Sequence, residues 1–70
     1  MSEIALYSSV LAGFRYHPDC QQLCLRFQNG ELYLYETVPS GVVQGLIAAP
    51  SPGGYFNSAI RGSFPCRRLS

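Results

Sequence analysis

The chain has 70 residues, of which 47% are hydrophobic and only 13% are charged, and its formal net charge is +1. This length suits one small domain, and the low net charge with abundant apolar residues excludes a disordered chain. The charge also lacks the basic excess typical of nucleic-acid binders, so any basic patch must be local. No basic region precedes an apolar stretch near the N-terminus, and no apolar run approaches the length of a membrane span. We therefore expect a single domain over residues 1–70, a cytoplasmic location and no membrane partner.

Three segments alternate apolar and polar residues with a period of two, which predicts β-strands. The first segment, residues 10–16, would place Leu11 and Phe14 on opposite faces. The other two are residues 22–28 and residues 31–38. Short turns separate them, so the natural arrangement is an antiparallel meander.

The second turn, at Asn29-Gly30, leaves two hairpin registers open. A two-residue loop would set Tyr33 opposite Arg26, on the face away from the leucines. A three-residue loop with Gly30 in a bulge would pair Leu25 with Tyr33, so that the tyrosines join the apolar face. We expect the second register, because burial of two aromatic rings contributes strongly to the core of so short a chain.

The period changes after residue 39, where the sequence predicts two short helices. Ser40 is the expected N-cap of the first helix, which ends at Ala49 because proline follows. The second helix is expected to have Ser51 as its N-cap, Pro52 as its first residue and Gly62 as its C-terminal cap.

These elements predict an α+β fold in which two short C-terminal helices pack on one face of a three-stranded antiparallel meander. The tail at residues 63–70 is a candidate fourth strand at a sheet edge. The other face of the sheet is expected to be largely neutral. The predicted core consists of Leu23, Leu25, Phe27, Val43, Leu46, Ile47, Phe56 and Ile60.

The residue types that bind anions and nucleic acids are few, and they concentrate in the C-terminal half. Free amides at a helix N-terminus, glycines that allow close approach, arginines and stacking tyrosines are the relevant chemistry. The alternative is structural: the glycines let the turn pass close to the preceding helix, and the arginine at 61 bonds to backbone carbonyls or a carboxylate. We expect that structural outcome for the arginine. The candidate binding residues are Arg61, Arg67, Arg68, Gly53, Gly54, Asn57, Tyr33 and Tyr35.

Catalytic and metal-ligating residues are too sparse to predict an enzyme. The single histidine, His17, lies in a turn near Asp19 and Cys20, and such local proximity is not a catalytic triad. The remaining thiols, Cys24 and Cys66, form no Cys-x-x-Cys pair. We expect a non-catalytic protein with no cofactor, no metal and no disulfide framework.

Nearly the whole chain, about residues 8–69, resembles a known family, the KTSC domain. The segments that carry the resemblance are "SSVLAGFRYHP", Leu23 with Phe27, "NG", "YLYETVP" and "SPGGYFNSAIRG". The most specific of them are the Tyr-x-Tyr of Tyr33 and Tyr35, the following Val38-Pro39, and the run Gly54-Tyr55-Phe56-Asn57 … Ile60-Arg61.

The resemblance implies a small domain that occurs alone in bacterial proteins and at the C-terminus of some lysyl-tRNA synthetases. The family has no assigned function, and its attachment to a tRNA synthetase is the ground on which RNA binding has been suggested. We therefore expect a small binding module whose partner is RNA, either tRNA or a single strand. The alternative is a module that binds another protein or a second copy of itself.

Overall fold

A five-stranded antiparallel sheet organises the chain in the computed structural model, which describes residues 3–70. The strands are β1 (Ile4–Ala5), β2 (Leu11–His17), β3 (Gln22–Phe27), β4 (Leu32–Tyr35) and β5 (Cys66–Arg68), and the helical elements are α1 (Ser40–Ala48), α2 (Pro52–Tyr55) and the π-helical segment (Phe56–Ile60). The strands follow one another across the sheet in chain order. The helices lie between β4 and β5, and α2 continues directly into the π-helical segment.

The α+β class and the meander are as predicted, but the sheet has five strands rather than three or four. The tail does form the expected edge strand, since β5 pairs with β4. The strand that sequence reasoning missed is β1, which pairs with β2. It has two residues, too few for a period of two to be read.

A β-bulge in β2 overturns the predicted strand faces. Leu11 pairs with Phe27 and Gly13 pairs with Arg26, so Ala12 is an extra residue that has no partner on β3. The bulge turns Leu11 to the same side as Phe14, and these side chains are 0% and 2% exposed. The expectation that they lie on opposite faces is wrong because it assumed unbroken alternation.

The β3–β4 hairpin has the three-residue loop that we expected. The Phe27 amide donates to the Glu31 carbonyl over 2.9 Å, and Gly30 has the positive φ of +90° that such a bulge needs. Leu25 consequently pairs with Tyr33. The alternative register, with the tyrosines on the outer face, is excluded.

The start of α2 is as predicted, whereas the start of α1 is not. The Ser51 hydroxyl accepts a hydrogen bond from the Gly54 amide over 3.3 Å, Pro52 is the first helical residue, and Gly62 has the positive φ of a C-terminal cap. Ser40, however, is the first residue of α1, and Pro39 occupies the N-cap position without a side-chain bond. The expected cap at Ser40 is therefore wrong by one position.

Most of the predicted core is buried between the sheet and the helices. Phe27 is only partly buried, and the prediction for Ile47 is wrong because its side chain is 52% exposed. Helix α1 presents Val43 and Leu46 inward, and Ile47 lies on its outer side. The buried core cluster consists of Leu11, Phe14, Leu23, Leu25, Tyr35, Val38, Val43, Leu46, Phe56 and Ile60.

The sheet face opposite the helices is basic rather than neutral. Arg15 and Arg67 lie on it, because side chains of paired residues share a face and their partners there are Cys24 and Leu34. Arg26 also lies on this open face and donates to the Glu3 carboxylate, with 2.8 Å between Nε and Oε1. The expectation of a neutral face is wrong, since strand alternation gathers arginines that are far apart in sequence.

No helix within residues 3–70 combines the length and the apolar character needed to cross a membrane.

Candidate functional site

A cleft of about 490 Å³ opens between the β3–β4 hairpin, β5 and the π-helical segment. The hairpin supplies its aromatic side, and the residues that end the helical region supply its polar rim. It is lined by Val10, Phe27, Glu31, Tyr33, Tyr35, Phe56, Asn57, Arg61, Gly62 and Cys66.

Four aromatic rings form the wall of the cleft and hold one another in place. Phe27 lies edge-to-face with Tyr33 at 5.5 Å and with Phe56 at 5.3 Å between ring centroids. Tyr35 and Phe56 make a third such pair at 5.9 Å. Edge-to-face pairs fix the ring planes and stabilise them beyond simple burial. The wall is therefore a preformed aromatic surface.

Tyr35 is the most enclosed tyrosine of the cleft, with 5% of its surface exposed. Burial, followed by the neighbouring Cys66 thiol and Tyr33, raises its pKa to about 12, whereas Arg61 acts in the opposite direction. The hydroxyls of Tyr16 and Tyr55 instead donate to backbone carbonyls elsewhere in the fold. The Tyr35 hydroxyl is thus kept neutral at the floor of the cleft.

Arg61 and Asn57 stand together on the rim of the cleft. The backbone amide of Arg61 donates to the Phe56 carbonyl over 2.8 Å, which anchors the residue at the end of the π-helical segment. Its side chain donates only a long bond of 3.4 Å to the Asn57 amide oxygen, and it has no carboxylate partner among residues 3–70. The expectation that the Arg61 side chain would bond to backbone carbonyls or a carboxylate is wrong. Its guanidinium is available to an anion beside an open concavity.

Glu31 and Arg68 form an ion pair at the hairpin end of the cleft. Arg68 Nη2 lies 3.2 Å from Glu31 Oε2, and Arg68 Nε donates to the Ser70 carbonyl. The Glu31 amide donates to the Asn29 side chain over 3.0 Å, so its backbone is fixed as well. This rim therefore carries a positioned carboxylate whose charge is compensated.

The other predicted site residues lie away from the cleft. Gly53 is buried, and a side chain there would meet Val10 and Ser8 at 3.2–3.3 Å, so it allows close packing. That contact is with the segment before β2, not with the preceding helix as the structural alternative had it. The Gly54 amide is occupied by the Ser51 hydroxyl. Arg67 lies on the open face.

His17, which ends β2, and the following turn with Asp19 and Cys20 form no catalytic arrangement. His17 and Cys20 are exposed, and their bond joins the Cys20 thiol to the His17 carbonyl, not to its imidazole, over 3.8 Å. Over residues 3–70 there is no group of three or more histidine, cysteine, aspartate or glutamate side chains arranged to hold a metal ion.

The structure brings four of the predicted site residues together in the cleft, namely Tyr33, Tyr35, Asn57 and Arg61. Several lining residues were not among the predicted site residues, Glu31 and Cys66 among them. The favoured hairpin register contained a signal for Glu31, because it places this residue directly opposite Phe27. No signal of this kind existed for Cys66, which reaches the cleft only because β5 pairs it with Tyr35.

The comparison of the sequence with known proteins gives one consistent result. The sequence profile of the KTSC domain matches residues 7–64. An uncharacterized protein of Stutzerimonas stutzeri is 44% identical over 61 residues, which cover 87% of this chain and 86% of that protein. A lysine–tRNA ligase of Nostoc sp. is 42% identical over 62 residues, which cover 89% of this chain and 11% of the enzyme.

The comparison of the structure agrees with that of the sequence. The crystal structure of a KTSC domain protein from Yersinia pestis superimposes with a TM-score of 0.92 at 31% sequence identity. The superposition covers 99% of this chain and 97% of that protein. The chain belongs to the KTSC domain family.

Proposed function

We propose that this domain is a non-catalytic module that binds single-stranded RNA, including unpaired segments of tRNA, in the aromatic cleft. The observation that carries the proposal concerns Arg61. Its guanidinium has no carboxylate partner in residues 3–70, and it lines the same cleft as the aromatic wall.

The two kinds of group in the cleft match the two parts of a nucleotide. Aromatic side chains stack on unpaired bases, and each such contact contributes about 1–3 kcal/mol. A guanidinium donates charge-assisted bonds to phosphate oxygens. The net charge of +1 supplies little attraction from a distance. Binding is therefore weak, local and sensitive to salt.

One of the relatives supports RNA as the partner. The matching region makes up 11% of the lysine–tRNA ligase of Nostoc sp., an enzyme whose name states that it acts on tRNA. A module attached to such an enzyme is well placed to contact RNA. The free-standing relative of Stutzerimonas stutzeri shows that the same module also occurs without the enzyme.

Fluorescence anisotropy with a labelled single strand and with tRNA tests the proposal. Arg61→Gln should weaken binding about tenfold and lower the dependence on salt between about 50 and 200 mM, because it removes one phosphate contact. The matched control is Arg15→Gln, which removes an exposed arginine from the open face and should leave binding unchanged. Absence of any salt-sensitive binding by the unchanged protein would reject the proposal.

A second candidate function is self-association, and a separate surface favours it. Ile4, Tyr7 and Ile47 are exposed and line one shallow depression together with Pro50. Exposed apolar residues gathered in one patch are typical of an interface.

A further inference from the structure

The carboxylate of Glu31 is an unusual group for a cleft that accepts an anionic strand. It lines the cleft together with Phe27 and Tyr33, and it lies directly opposite Phe27 in the hairpin, where the Phe27 amide donates to the Glu31 carbonyl. Its ion pair with Arg68 uses Oε2, and the structure gives Oε1 no partner among residues 3–70. A positioned carboxylate with a free oxygen is an acceptor for donors that a ligand must bring.

Among the four RNA bases, only guanine presents two adjacent N–H donors on its Watson–Crick edge, N1–H and the N2 amino group. Adenine, cytosine and uracil each present a single donor there. A carboxylate has two acceptor oxygens side by side with about four lone-pair sites between them, so Oε2 can accept a second hydrogen bond while it faces Arg68. The pair of oxygens therefore suits the guanine edge and is unfavourable beside the ring acceptors of the other bases.

The charges around the cleft remain compatible with a phosphate backbone. Arg61 and Arg68 are positive and Glu31 is negative, so the rim keeps a net charge of +1 from two arginines and one glutamate. Arg68 therefore compensates the carboxylate, and Arg61 stays available for phosphate. Repulsion between Glu31 and the strand is correspondingly reduced.

We infer that the cleft selects an unpaired guanine, which stacks on the Phe27–Tyr33 wall while its Watson–Crick edge donates to Glu31. The inference rests on the proposed RNA-binding function and adds a base preference to it. Tyr33 and Phe27 give affinity for any base, because every base has a π-face. Glu31 gives the discrimination.

Four oligouridines about nine nucleotides long, which differ only at the central base, test this preference. The strand with a central guanine should bind about tenfold tighter than each of the other three strands, which have adenine, cytosine or uracil at that position. A difference of this size is expected for one bidentate contact. Inosine keeps N1–H but lacks the 2-amino group, so a strand with inosine should lose most of this preference.

Glu31→Gln should abolish the preference, because a side-chain amide offers only one acceptor oxygen. The substitution also releases Arg68 from its ion pair, so the affinity for the all-uridine strand should stay the same or rise. The decisive readout is therefore the ratio of the affinities for the guanine strand and the all-uridine strand. Glu36→Gln is the matched control: it removes a carboxylate that does not line the cleft, and it should keep the preference. Thermal unfolding of both variants shows that the fold is kept.

The outcomes separate the two proposals. Equal, salt-sensitive binding of all strands overturns the guanine inference and leaves RNA binding in place. A guanine preference that survives in Glu31→Gln also overturns the inference, because it shows that Glu31 does not provide the discrimination. If no strand binds, RNA binding is rejected, and NMR titrations with guanosine monophosphate and with adenosine monophosphate then decide the base preference. Shifts of the cleft residues with guanosine monophosphate alone support it, and equal shifts with both nucleotides, or none, overturn it.

Discussion

At the scale of single residues, Tyr35 shows how one side chain serves both the fold and the cleft. Its ring belongs to the buried core cluster, and its pKa is raised to about 12, first by burial and then by Cys66 and Tyr33. A raised pKa means that the folded protein favours the neutral phenol. The fold therefore gains stability from Tyr35 only while the hydroxyl stays protonated.

We predict that the free energy of unfolding falls as the pH rises from 10 to 12, because the unfolded tyrosine ionises near 10 and the folded one near 12. The contribution of the neutral Tyr35 hydroxyl to the free energy of unfolding is complete below pH 10 and is lost between pH 10 and 12. The loss amounts to about 1–2 kcal/mol, because the group is not fully enclosed. Urea unfolding at several pH values measures it.

The control for this prediction is Tyr35→Phe, which keeps the ring and removes the titrating hydroxyl. Its unfolding free energy should fall less over the same interval, and its absorbance titration should lack the tyrosine with the highest pKa. An identical decline in the variant would show that other groups cause the pH dependence.

For Arg61, the structure changed the interpretation that the sequence had favoured. Asn57 and Arg61 are four residues apart and therefore share a face of the helical region, and the bond between their side chains follows from that spacing. Sequence spacing could not show that the Arg61 side chain would stand at the rim of an open cleft with an aromatic wall. That arrangement is why Arg61 becomes a candidate ligand-binding group.

At the scale of elements, the contact between α1 and α2 depends on a missing side chain. A Cβ at Gly45 would lie 2.6 Å from Cζ of Tyr55, whose hydroxyl donates to the Val42 carbonyl over 2.9 Å. Glycine in a helix costs about 1 kcal/mol relative to alanine. Here the cost is offset by the close approach of the Tyr55 ring.

We predict that Gly45→Ala destabilises the protein by about 2 kcal/mol, because the overlap with Tyr55 exceeds the gain in helix propensity. Denaturant unfolding followed by circular dichroism measures it. The matched control is Gly41→Ala in the same helix, where nothing lies within 4 Å of the added Cβ. That variant should be as stable as the unchanged protein or more stable by up to about 1 kcal/mol. Equal stability of the two variants would contradict the prediction.

At the scale of the whole molecule, three surfaces of different character surround one small core. The cleft is aromatic with a positive rim, the open sheet face carries Arg15, Arg26 and Arg67, and the patch at Ile4 and Ile47 is apolar. The residues named for these three surfaces do not overlap, so each surface can be altered without changing the others.

If self-association is the function, the unchanged protein should sediment faster than a monomer at high concentration. Ile47→Gln should raise the dissociation constant of the dimer several-fold and so shift the protein towards the monomer. Leu69→Gln removes an equally exposed apolar side chain away from the patch and should have no such effect. A strict monomer at all concentrations would exclude self-association.

The sequence by itself determined the local structure wherever short-range rules act. The turn at Asn29-Gly30, the cap at Ser51 and the stop at Gly62 depend on neighbours in the chain, because turn geometry and capping are decided within a few residues. The hairpin register follows from the burial that it gives to the tyrosines. Three of the strands and both predicted helices were found in this way.

Only the tertiary structure decided what depends on distant partners. The bulge at Ala12 moves Leu11 into the core, the pairing of β1 with β2 adds an edge strand, and strand register gathers arginines on the open face. The cleft exists because β5 brings Cys66 beside Tyr35 while the π-helical segment carries Arg61 to the same place. Tyr35 and Cys66 are 31 positions apart, so packing of the whole chain sets such contacts, and no local pattern encodes them.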